Sequence, residues 1–258
     1  MTRLIHIADL HFGAEDPVLV DAFAAACDAI GPDLVVAAGD FTQAGRRREF
    51  DAAAGLLANL PAPVVGTPGN HDVPVRSVSQ RLASPWRRYR QILGPVIQDR
   101  YASPQVQVES LGTARRAQWQ PDWSLGRIGR RRLDRILDRF DPAGTQARIL
   151  TCHHPILSPG GPRGRARTAY AAQAAPKIAQ HCDLVLTGHL HETYACVLSS
   201  GERNCWFLGA GTTFSHRTRG EGAGFNLIAI EDDVIETTHY QAGPDRRFRP
   251  ASSSPLPR

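Results

Sequence analysis

Apolar and polar positions alternate from the start of the chain. Arg3 to Ala8 reads as a strand, and Asp33 to Ala38 and Pro63 to Thr67 repeat the same kind of short, β-branched run. Between these runs the apolar period lengthens to that of a helix, from about Pro17 to Ile30 and from about Arg46 to Asn59. Strands interleaved with helices at this spacing predict βαβ units and a parallel sheet. In such sheets functional groups gather at the carboxyl ends of the strands, where Asp9, Asp40 and Asn70 stand.

From about Val73 to Gly126 the pattern becomes an irregular excursion in which Trp86, Tyr89, Tyr101, Trp119 and Trp123 are scattered among prolines and arginines. These aromatics read as ordinary packing rather than a substrate wall. A helix from about Gly129 to Phe140 then leads to a strand at Arg148 to Cys152, and a helix from about Thr168 to His181 leads to Leu184 to Thr187. Four further strand-like runs, Tyr194 to Leu198, Cys205 to Leu208, Phe225 to Ile230 and Val234 to Tyr240, predict a largely antiparallel portion. Residues 241–258 concentrate Pro, Ser and Arg without an apolar period, so one domain over residues 1–240 with an unordered tail is expected.

Composition excludes several classes. Hydrophobic residues at 42% and charged residues at 21% fit an ordinary globular chain rather than a disordered one. No run approaches the roughly 18 apolar residues of a membrane span, and MTRLIHIADLHFG has no features of an export signal, so a cytoplasmic protein without integral membrane association is expected. The five cysteines lack CxxC spacing and read as small buried hydrophobes rather than disulfides or a thiolate zinc site. The net charge of +5 comes from arginine, Lys177 being the only lysine. The arginines at 46–48, 130–132 and 163, 165 and 167 are dispersed along the chain and read as solvated faces.

Candidate chemistry lies in five short motifs that occur in order, each directly after an expected strand. They are DLH at Asp9 to His11, GD at Gly39 and Asp40, GNHD at Gly69 to Asp72, HH at His153 and His154, and GHLH at Gly188 to His191. Taken singly, an Asp after a strand is a helix cap or turn residue, and alternating histidines are surface residues. Together they supply hard carboxylate oxygens and imidazole nitrogens without cysteine, a donor set for Mn, Fe, Zn or similar divalent ions. With two ions roughly 3.5–4 Å apart, one activates water while both clamp the oxygens of a phosphoryl group. His6, His181, His216 and His239 lack such context and read as structural or surface residues.

The ordered set resembles the calcineurin-like metallophosphoesterase superfamily, whose pattern DxH, GD, GNH(D/E), H and GHxH is matched without a missing element over about residues 1–240. GDFTQAG, PGNHDVP, CHHP and GAGTTFSHRTRG are similar to the bacterial branch that contains class III cyclic nucleotide phosphodiesterases. The resemblance implies an α/β fold, a four-layer sandwich of two mixed sheets flanked by helices. It also implies two divalent metal ions, one held by Asp9, His11 and His191 and the other by Asn70, His153 and His189, with Asp40 bridging. His71 would contact the substrate phosphate and protonate the leaving oxygen, with Asp72 orienting it. His153 is preferred to His154 as ligand because it follows the strand directly. One departure is Gly112, in LGTARRAQWQPDWSLGRI, where a polar residue such as Asn is expected.

The expected activity is hydrolysis of a small phosphoester, cyclic nucleotides first. Alternatives are a nuclease, which net basicity favours but which would need an extended backbone track, and a phosphomonoesterase or phospholipid-headgroup hydrolase. A fourth reading, a non-catalytic metal-binding scaffold, is opposed by the presence of His71 and every expected ligand. A homodimer stays open.

Overall fold

The computed structural model describes residues 1–74, 78–116, 122, 124–141, 144, 146–159, 167–201, 203–218, 220–231 and 234–258. One sheet is built from β1 (Thr2–Ile7), β2 (Leu34–Ala37), β3 (Val64–Gly66), β4 (Ile97–Gln98), β11 (Gly224–Glu231), β12 (Val234–Ala242) and β13 (Phe248–Pro257). Its spatial order is β13-β12-β11-β1-β2-β3-β4, parallel from β1 to β4 and antiparallel beyond β1. The second contains β5 (Arg100–Ala102), β6 (Val106–Ser110), β7 (Ala147–Thr151), β8 (Leu184–Thr187), β9 (Tyr194–Ser200) and β10 (Arg203–Gly209), in the order β5-β6-β7-β8-β10-β9.

The β1, β2 and β3 runs are apolar on both faces because both are covered. Leu4, Val36 and Val65 pack with Val108, Ile149, Leu186 and Leu208 of the other sheet to form the central core. Ile5, Val35 and Val64 point the other way, beneath α1 (Pro17–Ile30) and α2 (Arg47–Ala58), where Phe23, Phe50 and Leu57 complete an outer core. On the far side, Leu133 and Ile136 of α4 (Arg130–Leu137) and Ile178 of α5 (Ala171–His181) cover Leu150, Val185 and Phe207. The result is the expected four layers, helix on sheet on sheet on helix.

Local chemistry sets the helix ends. Asp16 accepts from Val18 N at 3.1 Å ahead of Pro17, whose fixed φ suits a first helical position, and Gly31 closes α1 in the left-handed conformation. Glu49 folds back onto the amides of Ala44 and Arg46 to hold the start of α2.

Two expectations change. The supposed tail is β13, paired with β12 from Val234↔Pro257 to Ala242↔Phe248, with Leu256 buried and Phe248 against Phe23 and Phe225. An edge strand needs few apolar anchors and tolerates Pro250, Pro255 and Pro257 because half of its amides face outward, so its sequence reads as unstructured. The excursion also contributes structure. It holds α3 (Val78–Ala83), a π-helical turn at Tyr89–Leu93, β4, β5 and the fully paired β6, whose Val106 and Val108 enter the central core. Among the described residues no helix is long and apolar enough to cross a membrane.

Candidate metal centre

Every motif residue lies just past the carboxyl end of a strand, on the side where β1, β2, β3, β7 and β8 deliver their following loops to one point. Of the seven non-glycine residues with positive φ among those described, five are Asp9 (53°), His11 (48°), Asp40 (55°), His189 (74°) and His191 (59°). Such backbone is disfavoured for side chains with a Cβ and persists where the surroundings over-determine it, as they do at functional sites. Close approach explains two glycines: a Cβ at Gly69 would collide with the Asp40 carboxylate, and one at Gly188 with Ala8 and Asp9.

The side chains converge. His191 Nε2 lies 3.2 Å from Asp9 Oδ1 and 3.1 Å from His11 Nε2, and His11 Nε2 lies 3.8 Å from Asp40 Oδ2. Across Asp40, His153 Nε2 lies 3.3 Å from Oδ2 and 3.1 Å from Asn70 Oδ1. The His189 ring centroid is 5.2 Å from that of His153, and its amide donates to Asp9 Oδ2 at 2.7 Å. Ligand-type atoms of Asp9, His11 and His191, of Asp9, Asp40 and His153, and of His153, His154 and His189 each fall within 4.8 Å of one another. All these Asp and His residues are buried, while Asn70 and His71 are half-buried.

The hydrogen bonds fit the cluster to cations. His191 donates from Nδ1 to the Arg217 carbonyl at 2.5 Å and His153 from Nδ1 to the Ala38 carbonyl at 2.8 Å, so both Nε2 atoms point inward. Asp9 Oδ1 is buried without a well-formed hydrogen bond among the described residues, and an acceptor so placed beside imidazole nitrogens suits a metal ion. Electrostatics agree. Burial pushes the Asp40 carboxyl up, but His153 and then His71 hold it well below the usual range; burial likewise opposes the lowering of Asp9 by His191. Burial would lower His153, yet Asp40 raises it to about 9, whereas burial takes His11 down to about 3 and His189 to about 4.

His154 is differently engaged. It donates from Nε2 to the Ser124 carbonyl at 2.8 Å and meets the Thr113 hydroxyl through Nδ1 at 2.8 Å, which leaves His153 as the member of the pair that faces Asp40 and Asn70.

Asp72 is a correction. Among the described residues its carboxylate makes no hydrogen bond to His71, but accepts from Gly69 N at 2.8 Å, Thr42 N at 2.9 Å, Thr42 Oγ1 at 2.9 Å and Phe41 N at 3.3 Å, tying the GD and GNHD loops together. Burial and the charge of Asp40 push its carboxyl up to about 7 against those donors. The partner of His71 Nδ1 is instead the Gln43 carbonyl at 2.7 Å. A carboxylate next to histidine in sequence suggested a dyad, but the tight turn aims the two side chains apart.

Arg217 was missed. Its Nη1 donates to His71 Nε2 at 3.1 Å and to Gln43 Oε1 at 3.1 Å, while its carbonyl fixes His191. The available signal was the segment GAGTTFSHRTRG, whose likeness to relatives did not single out one arginine. Trp119, Trp123, Arg163 and Arg165 lie outside the described residues.

The family described as calcineurin-like phosphoesterase matches residues 2–193. Glycerophosphodiester phosphodiesterase GpdQ from Enterobacter lignolyticus (strain SCF1) is 35% identical over 80 residues, 27% of this chain and 29% of that protein's length. Among solved structures, PhoD superposes on the whole chain and on 68% of its own length with a TM-score of 0.66 at 10% identity. Vacuolar Protein Sorting 29 from Cryptosporidium parvum does so over 100% and 98% with a TM-score of 0.54 at 15% identity. Both likenesses concern the fold.

Proposed function

We propose, from the premise that this chain belongs to the calcineurin-like phosphoesterase family, that it is a dinuclear metal-dependent phosphodiesterase acting on a small phosphodiester such as a cyclic nucleotide. The observation that carries the reading is the buried convergence of His11, His153 and His191 on Asp9 and Asp40, with the outer ring nitrogens of His153 and His191 tied to backbone carbonyls. The preference for a diester is supported by the similarity to GpdQ, a glycerophosphodiester phosphodiesterase by name, over 80 residues.

In this reading Asp9, His11 and His191 would hold one divalent ion (Mn, Fe or Zn), Asn70, His153 and His189 would hold the other, and Asp40 would serve both. Bound there, the ions would supply Lewis-acid activation of water and neutralise phosphoryl charge. The protein groups do the rest. The Ala38 and Arg217 carbonyls orient two ligand rings, and Asp72 fixes the loop that carries Asn70 and His71. His71 stands at the half-buried rim with Nδ1 donating to Gln43 and Nε2 turned to Arg217. From that position Arg217 can receive a phosphate oxygen, and its departure from His71 frees the Nε2 lone pair to take up a proton from water and then pass it to the leaving oxygen.

Metal-stripped protein reconstituted with Mn should hydrolyse bis(p-nitrophenyl) phosphate faster than p-nitrophenyl phosphate, and cleave 3′,5′-cyclic AMP. Loss of both ester activities in Asp40→Ala and of most diester activity in His71→Ala is expected. A wild type that binds Mn and turns over only the monoester would overturn the diesterase reading.

A further inference from the structure

Away from the ligand cluster, the start of α4 opens onto a cavity of about 690 Å³ lined by Arg115, Arg127, Arg130, Arg131, Arg132 and Arg135 beside Tyr170. No aspartate or glutamate is among its lining residues. Arg127, Arg130, Arg131, Arg132 and Arg135 take part in none of the ion pairs among the described residues. The run at 130–132, read from sequence as a solvated face, is therefore concentrated on one concave surface.

Its placement is electrostatically unfavourable for the protein alone. Three arginines occupy the first turn of α4, where the helix presents its positive end, with no acidic residue in that turn and Gly129 as a cap without a side chain. Burial, and after it the charge of Arg127, lowers the pKa of Arg115. The arrangement is nonetheless built. Arg130 lies 4.5 Å over the Tyr170 ring. Arg115 Nη2 donates to the Gly126 carbonyl at 3.0 Å, and Arg135 Nε to the Arg131 carbonyl at 3.2 Å. The departure at Gly112 belongs here too, since a Cβ at that position would sit 3.1 Å from Arg132 Nη1 and crowd its guanidinium.

We propose that this cavity binds a compact anion bearing two or more phosphate groups, of the diphosphate or triphosphate type. Six guanidinium groups of one sign gather fork-shaped donors with a helix N-terminus, the combination that suits phosphate oxygens. The volume falls within the roughly 300–1,000 Å³ of small-molecule sites, and a local cluster of guanidinium groups around one cavity suits a compact ligand, whereas a nucleic-acid strand is followed by a longer track. The site does not depend on the reading of the metal centre, although Gly126, which Arg115 holds, lies directly against the His154 ring.

The test is calorimetric titration of the full chain with tripolyphosphate, without added divalent cation. Saturable one-to-one binding is expected in the wild type. The variant R130E/R131E/R132E should bind at least about tenfold more weakly. Its melting temperature should be unchanged or higher, because glutamates suit a helix start. R90E/R100E/R247E makes the same charge change on exposed arginines elsewhere and should stay within about twofold of wild type. Should the triple variant fail to fold, Arg131→Gln alone keeps the test, with a smaller weakening expected. Absence of saturable binding, or equal weakening in both triple variants, overturns the proposal. So does a single-stranded oligonucleotide that outcompetes tripolyphosphate with a steep salt dependence, which would assign the face to nucleic acid.

Discussion

Two groups of buried carboxylates stand at opposite ends of the parallel strands, and they are satisfied in different ways. Asp183, just before β8, accepts from Arg148 N at 2.8 Å and lies 3.3 Å from Arg148 Nη2, 2.8 Å from Arg203 Nη2 and 3.4 Å from Arg258 Nη2. Permanent cations of the chain neutralise it, so that end is complete. Asp9 and Asp40, past β1 and β2, face imidazoles whose Nε2 atoms point at the same space, and Asp9 Oδ1 makes no well-formed hydrogen bond among the described residues. Burial and residue type do not separate the two groups. What does is the kind of partner: permanent guanidinium charges at one end, and at the carboxyl ends imidazoles, a donor set that also suits a bound cation.

Substitutions can sharpen this contrast, beginning with the largest expected effect. Asp40→Ala should reduce kcat/KM on a phosphodiester by about 1,000-fold or more, roughly 4 kcal/mol of transition-state stabilisation, while the metal-free protein stays folded by circular dichroism. Wild-type activity in that variant would remove Asp40 from the site. Asp183→Ala should do the reverse. By leaving Arg148 buried and unpaired it should cost about 3–5 kcal/mol in urea unfolding, with little change in Mn affinity. Arg217→Ala should lower kcat/KM by about 10–100-fold with the melting temperature retained, and Arg217→Lys should restore part of it. An unaltered kcat/KM would leave Arg217 a purely structural neighbour of His71.

Acid sensitivity follows from Asp183. Burial raises its carboxyl, but Arg148 and Arg258 lower it more, so its pKa in the folded state lies below the ordinary 3.8. A depressed carboxyl contributes stability that is present above its unfolded pKa and lost as pH falls through the folded value. Wild type should therefore lose stability below about pH 4 more steeply than Asp183→Asn, measured by unfolding midpoints between about pH 3 and 6. The smallest effect is expected for Arg258→Ala, within about 1 kcal/mol, because Arg148 and Arg203 still hold Asp183.

Much of this was legible in the chain. The helices at Pro17–Ile30 and Arg47–Ala58 carried their own period and caps, and the strand at Leu184–Thr187 carried a β-branched run. The set of residues that converges past the strand ends was legible because metal chemistry restricts residue types and because each motif follows a strand. β6 and β13 were not legible. β6 is five residues set between prolines and arginines, and β13 has only Phe248 and Leu256 to anchor it.

By itself the sequence determined which residues offer metal-type donor atoms and many of the runs that become strands and helices, since donor identity, capping and apolar period are local properties. The tertiary structure decided the rest. Only the meeting of loops from different strands could free Asp72 from His71, bring Arg217 to that ring, turn His153 toward Asp40 and His154 toward Thr113 and Ser124, and gather separate arginines around one cavity. Each of these depends on side-chain direction across residues far apart in the chain, which local periodicity does not encode.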